Sequence, residues 1–293
     1  MRVFVTGATG FIGSAVVPEL LGAGHAVVGL ARSDASAARL ESAGADVLRG
    51  ELSDLDALRR GASETDATIH LAFVHDFANF ASSVETDATA IAAMAGALEG
   101  TGKALVTASG LLGLPSGRVV TERDVPGYAP RATALAAAAR GVRASAVRLA
   151  PSVHGPGDGG FVPALIDIAR ARGAAAYVGD GSGCWPAVHV LDAATLFRLA
   201  VESAPAGSVL HGAGDEGVPT REIAEVIGAR LGLPTVSVAA GEDAQEHLGW
   251  MAPFFSMDVR ASHAVTTELL GWEPTRPGLL ADLETGSYFT PSA

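Results

Sequence analysis

The chain has 293 residues, 48% of them hydrophobic, and a formal net charge of −12. At roughly 150 residues per domain this is one large domain, or a domain plus a lobe, with ample apolar material for a core and no case for wholesale disorder. The acidic balance offers no basic stripe to neutralise phosphates, which argues against nucleic acid or an anionic membrane as partner; a small anionic ligand stays open, because backbone amides can bind one.

The start, Met1-Arg2-Val3-Phe4-Val5-Thr6-Gly7, has too short an apolar run before glycine for a signal peptide, and no stretch offers about 20 uninterrupted apolar residues for a membrane span. A cytoplasmic protein is expected. Arg2–Thr6 is a β-branched run that predicts a first strand, and Phe11–Ala23 follows with apolar residues at helical spacing, stopping at Gly22 and Gly24. Ala26–Leu30 predicts a second buried strand and Ala35–Ala43 a helix. Asp46–Leu48, Ala67–Leu71, Lys103–Thr107 and Ser145–Leu149 predict further strands, with the strongest helices over Ser82–Leu98 and Ala132–Arg140. Strands apolar on both faces, alternating with helices, predict an α/β fold: a Rossmann-type doubly wound parallel sheet covered on both sides.

Beyond Leu149 the texture changes. Residues 151–160 are rich in Gly and Pro, as suits a loop at the carboxyl ends of strands. Phe161–Arg172 predicts a helix. Pro186–Val190 and Val209–His211 are short apolar runs expected to return to the sheet. Thr220–Leu231 predicts an amphipathic helix with Thr220 as N-cap, and Ser262–Leu270 and Gly278–Tyr288 two more helices. The expected division is a dinucleotide-binding domain over residues 1–155, rejoined by 187–212, and a smaller C-terminal substrate lobe from 156–186 and 213–293. Cys184 is the only cysteine, so no internal disulfide can form, in keeping with a reducing compartment.

Gly7, Gly10 and Gly13 fall between the first strand and the first helix. Gly7 suits a tight turn, Gly10 a close approach of backbone to a pyrophosphate, and Gly13 close packing of helix on sheet, with the helix N-terminus facing the phosphates. Three glycines alone are a weak signal; the strand before and the helix after are the context that gives them meaning. Thr6-Gly7-Ala8-Thr9-Gly10-Phe11-Ile12-Gly13 resembles the TGxxGxxG turn of the extended short-chain dehydrogenase/reductase family. Asp66–Ala72 resembles its fourth-strand motif and Ala104–Ser109 its strand ending in the catalytic Ser/Thr. Arg148–Gly157 resembles its RPxxVYGPG segment, and Val188–Asp192 and Leu270–Pro274 resemble later landmarks. The resemblance spans nearly the whole chain. It implies a nicotinamide dinucleotide held by Gly7, Thr9, Gly10, Phe11, Ile12 and Gly13, with Glu51 and Leu52 near the adenine and Leu71, Ala72 and Phe73 along the ribose. Pro151, Ser152 and Val153 would flank the nicotinamide.

About 20 residues past the turn, where an acid would bind the ribose hydroxyls of NAD, stand Arg32 and Ser33. A guanidinium can pair with a 2′-phosphate and Ser33 can add a hydroxyl, which favours NADP (NADPH) over NAD. The competing reading has Arg32 solvated and Asp34 supplying the acid; Asp34 can equally cap the following helix.

The catalytic centre departs from the family pattern, in which a Tyr-x-x-x-Lys pair and a Ser/Thr act on the substrate oxygen. Ser109 matches the Ser position. Tyr128 is the nearest tyrosine, but Ala132 stands four residues on, and no lysine follows Lys103. Arg131 can serve as the cation beside Tyr128; in a second alignment Arg131 and Leu135 take the Tyr and Lys positions and no tyrosine acid remains. Tyr128 as a plain loop residue is a third reading. His154 stands where the family has Tyr, either as a proton donor to substrate or as a packed loop histidine. Trp185 reads as substrate wall or as core, and Trp250, Met251, Phe254 and Phe255 as pocket lid or domain seam. His189 and Asp192 are expected to orient the returning segment. His70 and His75 lack a metal-binding spacing, so no metal is expected. The sequence thus points to an atypical member of the family: an NADP-dependent oxidoreductase acting on a small, largely apolar carbonyl or alcohol. A non-catalytic NADP-binding sensor or scaffold is the alternative, and a nucleotide-sugar epimerase or dehydratase a weaker one. The expected partner is a small-molecule substrate, and a homodimer is compatible with the sequence.

Overall fold

In the computed structural model, which describes residues 1–74, 79–111, 113–125 and 132–289, Val3, Phe4 and Val5 are all fully buried. Successive side chains of a strand point to opposite faces, so β1 (Arg2–Thr6) has to be covered on both sides. It lies inside a parallel sheet with β2 (Ala26–Ala31), β3 (Asp46–Arg49), β4 (Ala67–His70), β5 (Ala104–Gly110), β7 (Arg143–Leu149) and β11 (Val209–Gly212), between which the short β6 (Val119–Val120) and others described below belong elsewhere. The seven strands run in the order β11-β7-β5-β4-β1-β2-β3, each pair parallel. The chain moves outward from β1 through β2 and β3, then crosses back to β4. The crevice between the carboxyl ends of β1 and β4 is therefore the topological switch point, where such sheets bind ligands.

Helices cover both faces. α1 (Phe11–Gly22) and α7 (Val190–Ser203) bring Val16, Leu20, Leu196 and Phe197 against Val3, Val5, Val106 and Val147. On the opposite face α3 (Leu55–Ser63) and α4 (Phe80–Leu98) bring Leu58, Met94 and Leu98 against Phe4 and Leu105. α2 (Asp34–Ser42) crosses from β2 to β3, and α5 (Ala132–Ala136), followed by a 3₁₀ turn over Ala137–Arg140, leads into β7.

The lobe is built around a three-stranded sheet. β8 (Ser152–His154) runs parallel to β10 (Cys184–His189), which pairs antiparallel with β12 (Asp215–Pro219). Of residues 186–190, expected to rejoin the main sheet, 186–189 belong here instead and Val190 opens α7: β11 fills the slot beside β7, and β10 finds its parallel partner in β8. Two further parallel pairs complete the strands, β9 (Ala175–Val178) with β13 (Thr235–Val238), and β6 with β14 (Arg260–Ala261). α6 (Phe161–Arg172), α8 (Thr220–Leu231), α9 (Glu242–Leu248), α10 (Ala252–Phe255) and α12 (Leu279–Thr285) supply the lobe core around Val162, Ile166, Ile223, Ile227 and Leu283. α11 (Ala264–Leu270) packs beside β11 and α7. Pro219, not Thr220, occupies the cap position of α8; Thr220 is buried and its hydroxyl turns to the Gly181 carbonyl at 3.4 Å. Among the described residues no helix is long and apolar enough to cross a membrane.

Candidate functional site: the carboxyl edge of the sheet

The turn after β1 is shaped by backbone demands on its three glycines. Gly7 has φ +68°, and a Cβ there would sit 2.6 Å from the amide of Ala72 at the exit of β4. A Cβ on Gly13 would meet the Gly7 carbonyl at 2.1 Å, so α1 can pack this closely only with glycine. Gly10 differs: it is exposed, and its nearest neighbour would be the Gly7 oxygen at 3.2 Å. Nothing in the fold demands a bare backbone so strictly at Gly10, whereas an approaching pyrophosphate would. No side chain caps α1, so its first-turn amides are left for a ligand. Thr9, Phe11 and Ile12 are half-buried around this turn, as are Leu71, Ala72 and Phe73 at the exit of β4. The residues present therefore fit a dinucleotide phosphate.

The ribose edge lies at the ends of β2 and β3. Arg32 is exposed and makes no hydrogen bond or ion pair among the described residues. Ser33, expected beside a 2′-phosphate, caps α2 by accepting from the Ser36 amide at 3.2 Å, so the capping role considered for Asp34 falls to Ser33. Asp34 is paired with Arg49, which also donates to the Ser33 carbonyl at 2.7 Å. Arg49 lies opposite Ala31 in the β2–β3 register. Sequence reasoning missed it, although its place at the end of the third strand was a readable signal. Glu51 is exposed and accepts from Ser53, while Leu52 packs on the α3/α4 core.

The candidate catalytic edge follows β5 and β7. Ser109 is half-buried near the end of β5, with its hydroxyl unengaged among the described residues, opposite Arg148 in the β5–β7 register. Arg148 is buried; it donates to the Asp124 carbonyl at 2.8 Å and to His211 Nε2 at 3.4 Å. His211 Nδ1 donates to the Ser262 carbonyl at 2.8 Å, which leaves Nε2 to accept. Burial holds the His211 pKa below its ordinary value. The Asp124 carboxyl, bound by Arg118 and by the Thr121 amide, is held well below the usual carboxylate range. Buried Glu122 accepts from both the amide and the hydroxyl of Thr266 at 2.7 Å. These bonds fix the chain up to Asp124. Tyr128 and Arg131, like His75, lie outside the described residues. Lys103, the only lysine of the chain, stands at the other end of β5 and donates to the Ser63 carbonyl at 2.9 Å.

Trp185 and His154, each open to a substrate-facing or a packed reading, are both buried. Trp185 is fully buried, its Nε1 donates to the Phe254 carbonyl at 3.1 Å, and its ring packs on Phe161 and Phe255. It is lobe core, because a buried indole has to satisfy its N–H and here a backbone carbonyl does so. The aromatic cluster joins it: Met251 and Phe255 are buried and Trp250 is half-exposed. His154 is fully buried, bonded through Nδ1 to Asp282 Oδ2 at 2.8 Å and set edge-on to His189, which N-caps α7. It ties β8 to α12, and it also borders a cavity of about 90 Å³ with His189, Asp192 and Arg276. Asp192 accepts from the amides of Thr275 and Arg276. Pro151 and Val153 are half-buried, and Ser152 is buried. The Gly155 amide donates to the Tyr288 hydroxyl, which donates to Asp158, each at 2.9 Å. Among the described residues no cluster of three metal-binding side chains occurs.

A doubly wound sheet with a glycine turn at its switch point defines a nicotinamide-dinucleotide-type Rossmann protein. The model of the NAD dependent epimerase/dehydratase family matches residues 3–108. An uncharacterized protein, C2A9.02, of Schizosaccharomyces pombe is 47% identical over 99% of this chain and 100% of its own. The 2-alkyl-3-oxoalkanoate reductase of Stenotrophomonas maltophilia is 29% identical over 82% of this chain and 78% of its own. Among solved structures, MoeE5 in complex with UDP-glucose and NAD superposes with a TM-score of 0.78 at 25% identity, covering 99% of this chain and 98% of that one. The chain belongs to the extended short-chain dehydrogenase/reductase family, of the NAD-dependent epimerase/dehydratase type.

Proposed function

We propose that the protein is an NADPH-dependent reductase, or the reverse dehydrogenase, for small, largely apolar carbonyl or alcohol substrates in the cytoplasm. The observation that carries the cofactor reading is the basic ribose edge. Arg32 stands free there among the described residues, and Arg49 engages Asp34, an acid placed to hold the hydroxyls of NAD. A 2′-phosphate brought to this edge meets a guanidinium with unused donors. Ser109, with its free hydroxyl at the carboxyl end of β5, supports carbonyl chemistry, since one donor there would polarise the reacting oxygen. Tyr128, or a water held by Arg131, would supply the proton. The names of two relatives point the same way: the 2-alkyl-3-oxoalkanoate reductase and a quinoline-oxide ketoreductase of Stigmatella aurantiaca, which is 28% identical over 71% of this chain.

One observation favours a non-catalytic NADP-binding sensor: the sole lysine is at the amino end of β5, so no lysine can tune a tyrosine at the carboxyl edge. Steady-state oxidation of NADPH and of NADH against a panel of ketones, aldehydes and nucleotide sugars separates the readings. Turnover of an apolar carbonyl with NADPH preferred supports the reductase. Tight NADPH binding without turnover of any panel member replaces it with the sensor, and turnover of nucleotide sugars with the epimerase or dehydratase.

A further inference from the structure

At the seam between the sheet half and the lobe lies a cavity of about 90 Å³ whose lining includes neither the glycine turn nor Ser109. Its polar walls come from separate parts of the chain. His154 ends β8, His189 ends β10, and Asp192 sits in the first turn of α7; Asp215 begins β12, and Arg276 precedes α12. The space suffices for several waters. A buried atom without a partner marks it as a built site. His154 is fully buried, and its Nε2 makes no hydrogen bond among the described residues.

Each wall group has a fixed polarity. Asp282 accepts from His154 Nδ1 at 2.8 Å; a carboxylate only accepts, so Nδ1 carries the proton, and in the neutral ring Nε2 presents a lone pair. His189 is the reverse. Its Nδ1 accepts from the Leu191 amide at 3.2 Å, so Nε2 carries the proton. Burial, with His154 beside it, holds the His189 pKa below its ordinary value and keeps that ring neutral. The two rings stand edge to face, 5.4 Å between centroids. Asp215 and Arg276 supply a second acceptor and donor. Asp215 Oδ2 is taken by the Leu279 amide at 2.8 Å. Its Oδ1 lies beside Gly278, another wall residue, so close that a Cβ there would meet it at 2.6 Å. Arg276 is exposed, and its guanidinium makes no hydrogen bond or ion pair among the described residues; only its amide is used, by Asp192.

These walls select among ligands. No three metal-binding side chains converge among the described residues, so a point cation finds no cage. A simple anion would meet the His154 lone pair and the carboxylates of Asp192 and Asp215. An apolar guest would leave Nε2 and Oδ1 unpaired. A hydroxyl donates and accepts at once, and so matches each acceptor–donor pair.

We propose that this cavity binds a small neutral polyol, with one hydroxyl between His154 and His189 and another between Asp215 and Arg276. Occupation ties the start of α7 to the start of α12, and it does not depend on which dinucleotide the switch-point crevice holds.

The test uses the full-length protein with glycerol as probe and follows the histidine rings by ¹⁵N NMR. A thermal shift would not discriminate, because polyols stabilise folded proteins in general by exclusion from their surfaces. The free protein should show Nδ1–H at His154 and Nε2–H at His189. Glycerol is expected to shift both rings saturably, with a Kd on the order of millimolar, as for a ligand held by a few hydrogen bonds. His25 and His247, placed elsewhere, should only follow the bulk solvent. Propan-1-ol, with a single hydroxyl, should bind at least about tenfold more weakly. Arg276→Met keeps the main-chain amide that Asp192 needs and should fold as wild type, with glycerol weakened about tenfold. His154→Phe should abolish the response at His189; if the loss of the Asp282 partner prevents folding, Arg276→Met decides alone. Shifts that never saturate, or that are equal at all four histidines, overturn the proposal and leave the cavity to water. Unchanged glycerol affinity in Arg276→Met, or propan-1-ol binding as well as glycerol, also overturns it. Saturation by ammonium chloride or sodium acetate where glycerol gives none overturns it in favour of a charged ligand.

Discussion

At the β1–β2–β3 end of the carboxyl edge, each group that would meet a dinucleotide comes from a turn directly after a strand, and its neighbours are close in sequence. Ser33 caps α2 through Ser36, and Gly10 bonds back to Gly7. At the β5–β7 end the corresponding support is remote: Glu122 holds Thr266 across 144 residues and His154 holds Asp282 across 128. The first half is a local motif laid on a sheet. The second is a junction between sheet and lobe, made of buried polar groups whose partners arrive from the C-terminal third of the chain. Damage to the ligand-facing groups of the first half should therefore be specific to the cofactor, and damage to the second should mix chemistry with stability.

The sharpest break lies within the glycine turn. Gly13→Val drives a side chain into the Gly7 carbonyl and is expected to destabilise the protein by more than about 3 kcal/mol, to the point of not folding. Gly10→Val, by contrast, should fold with a near-normal melting temperature and lose dinucleotide binding. Thermal unfolding and NADPH titration of the pair measure the two effects, and equal melting losses would erase the distinction drawn between them.

In the lobe, Trp185→Ala removes a fully buried indole and should cost about 3–5 kcal/mol of stability by denaturant titration. A substrate-wall tryptophan would instead show raised KM at unchanged stability. Ser109→Ala should lower turnover by about 10²–10³ while NADPH affinity holds, because one polarising donor is lost. Tyr128→Phe separates the two alignments: a comparable loss makes tyrosine the acid, and none makes it a bystander.

Arg32→Ala should weaken NADPH by roughly 1.5–3 kcal/mol and leave NADH nearly untouched. Arg49→Ala should release Asp34 and shift preference further toward NADH; isothermal titration with both cofactors decides. Equal losses for the two cofactors would show that neither arginine reads a 2′-phosphate.

The smallest expected effect is in pH. Burial lowers the pKa of His211, and burial together with His154 lowers that of His189, from an ordinary value of 6.5. The unfolded chain then binds protons that the folded one refuses. Their contribution to stability is full above about pH 6.5 and is lost as pH falls from there toward the depressed folded values. Melting temperature should fall between about pH 7.5 and 5.5, and less in His211→Asn. A flat profile in the wild type would mean that these histidines titrate normally.

How far the sequence could be read follows the same division. The β1 strand, the glycine turn, α1 and the β5 strand ending near Ser109 were legible because each is set by its own residues: apolar runs of strand length, glycines at fixed spacing, helical periodicity. The destination of residues 186–190 was not, since a short apolar run pairs with whichever edge is free, and β11 had taken the place beside β7. Trp185 and His154 were ambiguous for a related reason. An indole or imidazole suits a ligand wall and a core alike, and only the arrival of Phe254 and Asp282 from distant sequence decided between them. Thr6, His70 and Asp87 were each visible as residues but not as a hydrogen-bonded chain, because strand order and register, which no local pattern encodes, put Thr6 opposite His70, and packing brought Asp87 of α4 to the far side of the His70 ring. The sequence by itself determined a glycine turn between a buried strand and a helix, a serine near the end of another strand and an arginine where an acid is usual. The tertiary structure decided which buried polar groups meet, because each costs free energy in the core unless its partner is brought to it.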